Sequence, residues 1–115
     1  MKKVRVFARL EAKPGRTAEL RDILRGLLGP TRLEEGCLFY DLYRSETGGV
    51  FHFHELWQSK AALERHMASD HFRLAKERIA AGDLLVGPPE VNEVTEIEQV
   101  SVSDKTREPA AGRKA

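Results

Sequence analysis

The segment that decides the fold reads CLFYDLYR at residues 37–44, SETGG at 45–49 and VFHFHELW at 50–57. Both outer blocks are rich in aromatic side chains, which favour extended backbone. The five residues between them include Gly48 and Gly49, and a connection of this length with glycines is typical of a β-hairpin. The sequence therefore predicts two antiparallel strands joined by a tight turn.

The residues before the hairpin predict a strand followed by a helix. Apolar and mostly polar side chains alternate from Val4 to Glu11 with a period of two, which indicates a half-buried strand. Pro14-Gly15 ends this strand, and residues 16–28 then carry apolar side chains at helical spacing. Gly29-Pro30 is expected to break the helix before the hairpin begins.

The residues after the hairpin predict helical structure and a last strand. Ser59 suits an N-cap, and helical spacing continues to Ala81 with a slip in phase at Ser69-Asp70. We interpret this stretch as two helices, or one broken helix, ended by Gly82. Residues 90–101 are interpreted as a last strand, although their apolar positions do not keep a period of two. A bulge or an edge position would explain that irregularity, and the spacing alone leaves a helix open.

The resulting element order, β-α-β-β-α-β, is that of an α+β ferredoxin-like fold. This split βαβ arrangement has a four-stranded antiparallel sheet with helices on one face. Residues 1–102 are assigned to one domain, and residues 103–115, which lack large apolar side chains, to a C-terminal tail. The hairpin is apolar on both faces and helices cover only one, so we predict a homodimer stacked sheet to sheet.

Composition excludes several classes of function for this chain of 115 residues. It has 19 Lys and Arg against 18 Asp and Glu, for a formal net charge of +1. This balance argues against nucleic-acid binding driven by overall basic charge. No apolar run is long enough to cross a bilayer, so no membrane association is expected. The single cysteine, Cys37, rules out an internal disulfide framework and favours a cytoplasmic location.

The four histidines all lie between positions 52 and 71. His52 and His54 share one face of a strand, a geometry that suits two metal ligands. A metal site needs at least one more ligand, which would have to be Asp41, His66 or His71. Two polar strand positions, each hydrogen-bonded to a neighbour, explain the same pattern more simply. We predict that His52 and His54 bind no metal.

His66 and His71 lie near the predicted helix break. An unbroken helix would place residues five positions apart about 140° from one another, but a break at Ser69-Asp70 allows the two rings to approach each other. His66 belongs to an apolar stripe. It is therefore either a hydrogen-bonded histidine of the core or a functional group that titrates near neutral pH, and both interpretations remain open.

Glu55 is an acidic residue on an aromatic strand face. It lies between Phe53 and Trp57, where a carboxylate must be paired or have a raised pKa. Trp57 is explained more simply as a core anchor than as a platform for a substrate.

A spaced pattern runs through the second half of the chain: Phe53-x-Glu55-x-Trp57-x-Ser59, Ala62-Leu63, His66 and Ser69-x-His71-Phe72. The first half adds Pro14-Gly15, Glu35-Gly36-Cys37 and Tyr40-Asp41-Leu42-Tyr43. Together these motifs resemble the antibiotic biosynthesis monooxygenase (ABM) family of small dimeric α+β barrels. The resemblance covers residues 3–100 and is specific for the fold, whereas one fold hosts several chemistries.

The resemblance implies a pocket between the sheet and the helices. Some members of the family oxidise quinols or polycyclic phenols with molecular oxygen and without a metal or flavin. The substrate itself reduces oxygen, so the protein has to bind it, deprotonate it and shield it. The implied partners are therefore a quinol or phenol and oxygen, with no cofactor. The site residues assigned on this basis are His66, His71 and Glu55 as catalytic groups, and Trp57, Phe72, Phe53 and Phe51 as substrate-binding groups.

Other functions remain open at this point. Related members isomerise a phosphorylated metabolite, and a phosphate would need cations at the pocket mouth, for which Arg5 and Arg9 are candidates. A non-catalytic binding module would keep the pocket without turnover. The haem-degrading branch is set aside, because Ala8, His66 and Lys76 stand where that branch has an asparagine, a tryptophan and a histidine.

Overall fold

The computed structural model describes residues 2–98. Its elements, in chain order, are β1 (Val4–Glu11), α1 (Thr17–Gly26), α2 (Leu28–Arg32), β2 (Cys37–Arg44), β3 (Val50–Trp57), α3 (Lys60–Met67), α4 (Asp70–Ala81) and β4 (Glu90–Val94). The strands form one antiparallel sheet in the order β2-β3-β1-β4. This is the predicted ferredoxin-like α+β fold. Within the described range, no helix combines the length and the apolar character that crossing a membrane requires.

The two faces of the sheet differ in burial because side chains alternate along each strand. In β3 every second residue is buried, so Phe53, Glu55 and Trp57 face the helices while His52 and His54 face away. Residues paired across antiparallel strands share a face, and β1 therefore places its own buried residues beside those of β3. The core lies between this inner face and the helices.

The expected helix break at Gly29-Pro30 is wrong in position. The first helix ends at Gly26, and Gly29-Pro30 lies inside the short helix α2. Pro30 is the third residue of α2, where a backbone N–H has no partner inside the helix in any case. A proline this early in a helix therefore removes no hydrogen bond.

The last strand is shorter than predicted. It ends at Val94, which pairs with Arg5, and β1 begins only one residue before Arg5. Only Val4 of β1 remains beyond that pair, so residues after 95 run past the strand on which they would have to pair. The position of β4 at the edge of the sheet explains its irregular apolar pattern, as expected. Residues 99–101 of the predicted strand and the predicted tail at 103–115 lie outside the described residues, so the domain boundary at 102 stays a prediction.

Two serine caps divide the long helical stretch into α3 and α4. The Ser59 hydroxyl oxygen accepts a hydrogen bond from the backbone N–H of Ala62 at 3.2 Å, and Ser69 accepts one from Phe72 at 3.3 Å. Each cap satisfies a donor that the first turn of a helix leaves free. The break at Ser69 places the end of α3 beside the start of α4, and Gly82 caps the second helix as expected.

Candidate active site

A cavity of about 650 Å³ lies between the inner face of the sheet and the helices. This volume falls within the range of small-molecule sites in proteins. The walls are mostly aliphatic and aromatic, and they include Val6, Ala8, Leu24, Phe53, Leu63 and Phe72. Such walls favour an apolar ligand.

Three buried polar side chains also line this cavity: Tyr40, Glu55 and His66, which are 1%, 6% and 2% exposed. The other charged lining residues, Lys76, Asp83 and Glu93, are exposed and lie at its rim. A ligand deep in the cavity therefore meets few polar groups.

Glu55 is a buried carboxyl group that is ready to exchange a proton near neutral pH. Burial raises its pKa from 4.5 to about 7, although the hydrogen bond from Trp57 opposes this change. Trp57 Nε1 donates that bond to Glu55 Oε1 at 2.9 Å. In the protonated form Oε2 therefore carries the proton and is available as a donor.

His66 lies in the last turn of α3, and its ring is packed by aromatic neighbours. The ring centroids of Trp57, Phe72 and Tyr40 lie 4.7, 4.9 and 5.4 Å away. His66 Nδ1 is 2.8 Å from Glu34 Oε2, so Nδ1 donates its hydrogen to the carboxylate. The other nitrogen, Nε2, is buried and has no hydrogen-bond partner within residues 2–98. Burial lowers the pKa of His66 more strongly than the Glu34 carboxylate raises it, which favours the neutral ring.

His71 reaches the same carboxylate from the start of α4. Its Nε2 is 2.6 Å from Glu34 Oε2 and 3.2 Å from Ser69 Oγ. The Ser69 hydroxyl donates to the His66 backbone carbonyl oxygen at 2.6 Å, so its oxygen acts as an acceptor toward His71. The single Nε2–H of His71 is therefore shared between Ser69 and Glu34, which is the nearer acceptor. Glu34 thus joins the two histidines across the helix break. The predicted approach of His66 and His71 is confirmed, with ring centroids 6.1 Å apart.

Glu34, His66 and His71 also form a group of three potential metal ligands, with their donor atoms within 4.8 Å of one another. Ligands of a tetrahedral zinc ion with bonds of about 2.0 Å would be about 3.3 Å apart. The two N···O distances of 2.8 and 2.6 Å are instead those of hydrogen bonds. We therefore describe the group as a hydrogen-bonded cluster.

His52 and His54 lie on the opposite face of the sheet from this cluster. The sequence-based alternative that joined them to His66 or His71 is therefore wrong. His52 Nε2 is 2.9 Å from Ser45 Oγ, and His54 Nε2 is 2.6 Å from Arg5 Nη1. Each ring has a hydrogen-bonded neighbour, in line with the simpler interpretation. That these two residues bind no metal stays a prediction.

The chain is similar to known proteins over most of its length. The profile of the antibiotic biosynthesis monooxygenase family matches residues 3–78. The chain belongs to the ABM family. The protein of Mycobacterium tuberculosis named "Putative monooxygenase Rv0793" is 36% identical over 98 residues, which are 85% of this chain and 95% of that protein.

Solved structures support the same assignment. The structure of Rv0793 has a TM-score of 0.79 at 34% identity and covers 87% of this chain and 100% of that chain. The crystal structure of PA3566 from Pseudomonas aeruginosa has a TM-score of 0.77 at 31% identity, with 85% and 97% covered. The predicted fold and family are therefore confirmed.

Four of the site residues predicted for this ABM-family chain line the cavity: His66, Glu55, Phe53 and Phe72. The other three do not. Trp57 and Phe51 are buried in the core, and His71 is hydrogen-bonded to Glu34. Trp57 supports the site indirectly, because it donates to Glu55 and packs against His66. The functional roles of all seven residues stay predictions.

Sequence reasoning missed two residues of the site. Tyr40 is paired with Glu55 in the sheet and so shares its face, a relation that follows once the hairpin register is known. Glu34 follows α2 in the connection to β2, 32 positions before His66, and no periodic pattern marks it.

Arg5 and Arg9, the candidates for phosphate binding, do not reach the cavity. They alternate along β1 with Val6 and Ala8, which line it, and therefore point to the other face. Arg9 forms ion pairs there with Glu11 and Glu90. The expectation that these arginines lie at the pocket mouth is wrong.

Proposed function

We propose that this ABM-family chain is a cofactor-independent monooxygenase that oxidises a quinol or a polycyclic phenol with molecular oxygen. The observation that carries the proposal is the buried, unpartnered Nε2 of His66, for which residues 2–98 offer no donor. An apolar cavity with one strong acceptor and one protonated carboxyl group suits a flat ligand with hydroxyl groups. The monooxygenase name of the mycobacterial relative supports the same reaction class.

The first step is removal of a hydroxyl proton. His66 Nε2 accepts this proton, and the resulting phenolate gives an electron to oxygen more readily than the neutral phenol does. Glu34, hydrogen-bonded to Nδ1, stabilises the positive charge that then forms on the ring. Protonated Glu55 donates a hydrogen bond to an oxygen atom of the substrate, and the apolar walls keep water from the reacting centre.

The reaction balances without any external reductant. One naphthoquinol and one oxygen molecule give one hydroxynaphthoquinone and one water molecule. Two O–H bonds and one C–H bond of the quinol are broken; two of these hydrogens leave in water and the third ends on the new hydroxyl group. The substrate loses four electrons, and the oxygen molecule gains them. One oxygen atom enters the product as the hydroxyl group and the other leaves as water.

The test is turnover of a reduced naphthoquinol under oxygen-18 gas, followed by mass spectrometry of the product. We expect a hydroxynaphthoquinone with one labelled oxygen atom, formed faster than in a control without protein. Uncatalysed oxidation instead gives the unhydroxylated quinone and hydrogen peroxide. If the protein leaves both the rate and the product of this control unchanged, the proposal is wrong. Quinol binding without turnover would then favour the binding module.

An isomerase of a phosphorylated metabolite fits this cavity less well. Among the lining residues within the described range, Lys76 is the one lysine or arginine, and it lies at the rim. A phosphate group needs several cationic or backbone donors. Two of the three buried polar groups, Glu55 and Tyr40, would instead meet the phosphate with a carboxyl and a phenol.

We also propose a homodimer that buries the sheet face pointing away from the helices. Phe7 and Tyr43 on this face are 45% and 55% exposed in the single chain. Light scattering at micromolar concentration should give twice the chain mass of 13.0 kDa. The interface should bury well above ~1,000 Å². The substitution Phe7→Glu should weaken the dimer, whereas Leu74→Glu, at a similarly exposed residue of α4, should not. A monomeric wild type would contradict this proposal.

A cytoplasmic location of the protein is also a proposal.

A further inference from the structure

Glu34 is held in place by the connection between α2 and β2. Its backbone N–H donates to the Thr31 carbonyl oxygen at 3.0 Å, and its own carbonyl oxygen accepts from Cys37 N–H at 3.1 Å. Gly36 has a φ of +88°, and a Cβ atom there would lie 2.6 Å from Ala62 Cβ on α3. Only a glycine allows this close approach, which fixes the connection against the helix that carries His66.

We propose that Glu34 is a positioning residue that fixes His66 as its Nδ1–H tautomer and thereby leaves Nε2 free to accept the substrate proton. The role in proton transfer rests on the function proposed above. The tautomer itself follows from the contact between His66 and Glu34 and is testable in the protein without substrate.

The geometry selects this tautomer on electrostatic grounds. A neutral imidazole carries its hydrogen on one nitrogen, and the other nitrogen presents a lone pair. In the Nε2–H form, the lone pair of Nδ1 would face the Glu34 carboxylate oxygen at 2.8 Å. The Nδ1–H form replaces that repulsion with a charge-assisted hydrogen bond. His71 donates to the same oxygen and so restricts the movement of the carboxylate.

Four titratable groups face His66 from the elements around it: Glu34, His71, Tyr40 and Glu55. The Glu34 carboxylate raises the pKa of His66 and burial lowers it. A variant without this negative charge should therefore bind a proton on His66 less tightly.

The test compares Glu34→Gln with Glu35→Gln. Both variants remove one carboxylate and add one amide, but Glu35 is exposed and lies one position away from the contact. Nitrogen-15 NMR of the ligand-free wild type should show His66 with a protonated Nδ1 and an unprotonated Nε2. In Glu34→Gln the amide N–H₂ also offers a donor to Nδ1, so we expect a mixture of tautomers. The negative charge that raises the pKa of His66 is lost, so we also expect a lower pKa of His66. Glu35→Gln should match the wild type in both respects.

Kinetics provide the second measurement. We expect Glu34→Gln to lower kcat for the naphthoquinol by about 10- to 100-fold, part of the range that a general base contributes. The acidic limb of its pH–rate profile should move to lower pH, since that limb follows the protonation of His66. Glu35→Gln should change neither kcat nor the position of the acidic limb.

Three outcomes would overturn the proposal. One is a wild-type His66 in the Nε2–H form, and another is an unchanged tautomer and pKa in Glu34→Gln. The third is stoichiometric zinc or iron in the purified wild type that is lost in Glu34→Gln, because His66 Nδ1 would then bind a metal. If the NMR results are as expected but no quinol is turned over, the tautomer assignment stands and the proposed function fails.

Discussion

His66→Ala is expected to lower kcat for a reduced naphthoquinol or an anthrone by about 10²-fold or more, the scale of general-base loss. The variant removes the buried Nε2, which has no partner within the described residues, from a side chain that lines the cavity. His71→Ala should have a similar or smaller effect, because His71 contacts Glu34 and does not line the cavity. The measurement is oxygen uptake at pH 7 with the same substrate for all variants.

The control for this prediction is His52→Ala. His52 is a histidine of the same chain on the opposite face of the sheet, and its loss should leave the rate near that of the wild type. Removal of the buried His66 ring can destabilise the fold by ~1–3 kcal/mol, so rates are compared only for protein shown to be folded and dimeric. If folded His66→Ala and His71→Ala both keep the wild-type rate, the two histidines are structural and the mechanism is wrong.

Glu55→Gln is expected to remove the alkaline limb of the pH–rate profile. The wild type needs Glu55 protonated to donate its hydrogen bond, and its pKa is about 7, so activity should fall as the pH rises through that value. Activity should also fall at low pH, because His66 must be neutral to accept the substrate proton. Burial lowers the pKa of His66, so this acidic limb lies at low pH. Above pH 7 the rate ratio of Glu55→Gln to wild type should rise about ten-fold per pH unit, to about 100 at pH 9.

Comparing the two proteins at each pH removes the effect of substrate ionisation, which both share. The profile of kcat/KM is the relevant one, since it reports the groups of the free enzyme. A constant ratio between pH 6 and pH 9 would contradict the role of protonated Glu55. If Glu55→Gln instead abolishes activity at every pH, the carboxyl group itself is required, and its assignment as a hydrogen-bond donor alone is wrong.

Unfolding gives an independent check on the same carboxyl group. Its pKa in the folded chain is raised above the unfolded value, so the folded state binds more protons between about pH 4.5 and 7. The contribution of Glu55 to the free energy of unfolding is therefore greatest below this window and is lost as the pH rises through it. Glu55→Gln should be less sensitive to pH across this window than the wild type when unfolding is followed with urea.

The sequence by itself determined the order of the strands and main helices and the direction of most side chains along them, but not α2 or the length of β4. The aromatic blocks at 37–44 and 50–57 and the glycines between them predicted the hairpin, because these signals are local. Ser59 and Ser69 marked the starts of α3 and α4 through the free donors of a first helical turn. The family motif then predicted His66 and Glu55 as site residues, and both line the cavity.

Only the tertiary structure decided which of these residues meet. A period of two shows that Arg5 and Val6 point to opposite faces, but not which face receives the helices. The length of β4 depended on where its partner strand begins, which no local pattern in β4 records. Glu34 is joined to His66 across 32 positions by the packing of Gly36 against α3. Such contacts arise from long-range packing, and they decide which nitrogen of His66 contacts Glu34 and which has no partner within the described residues.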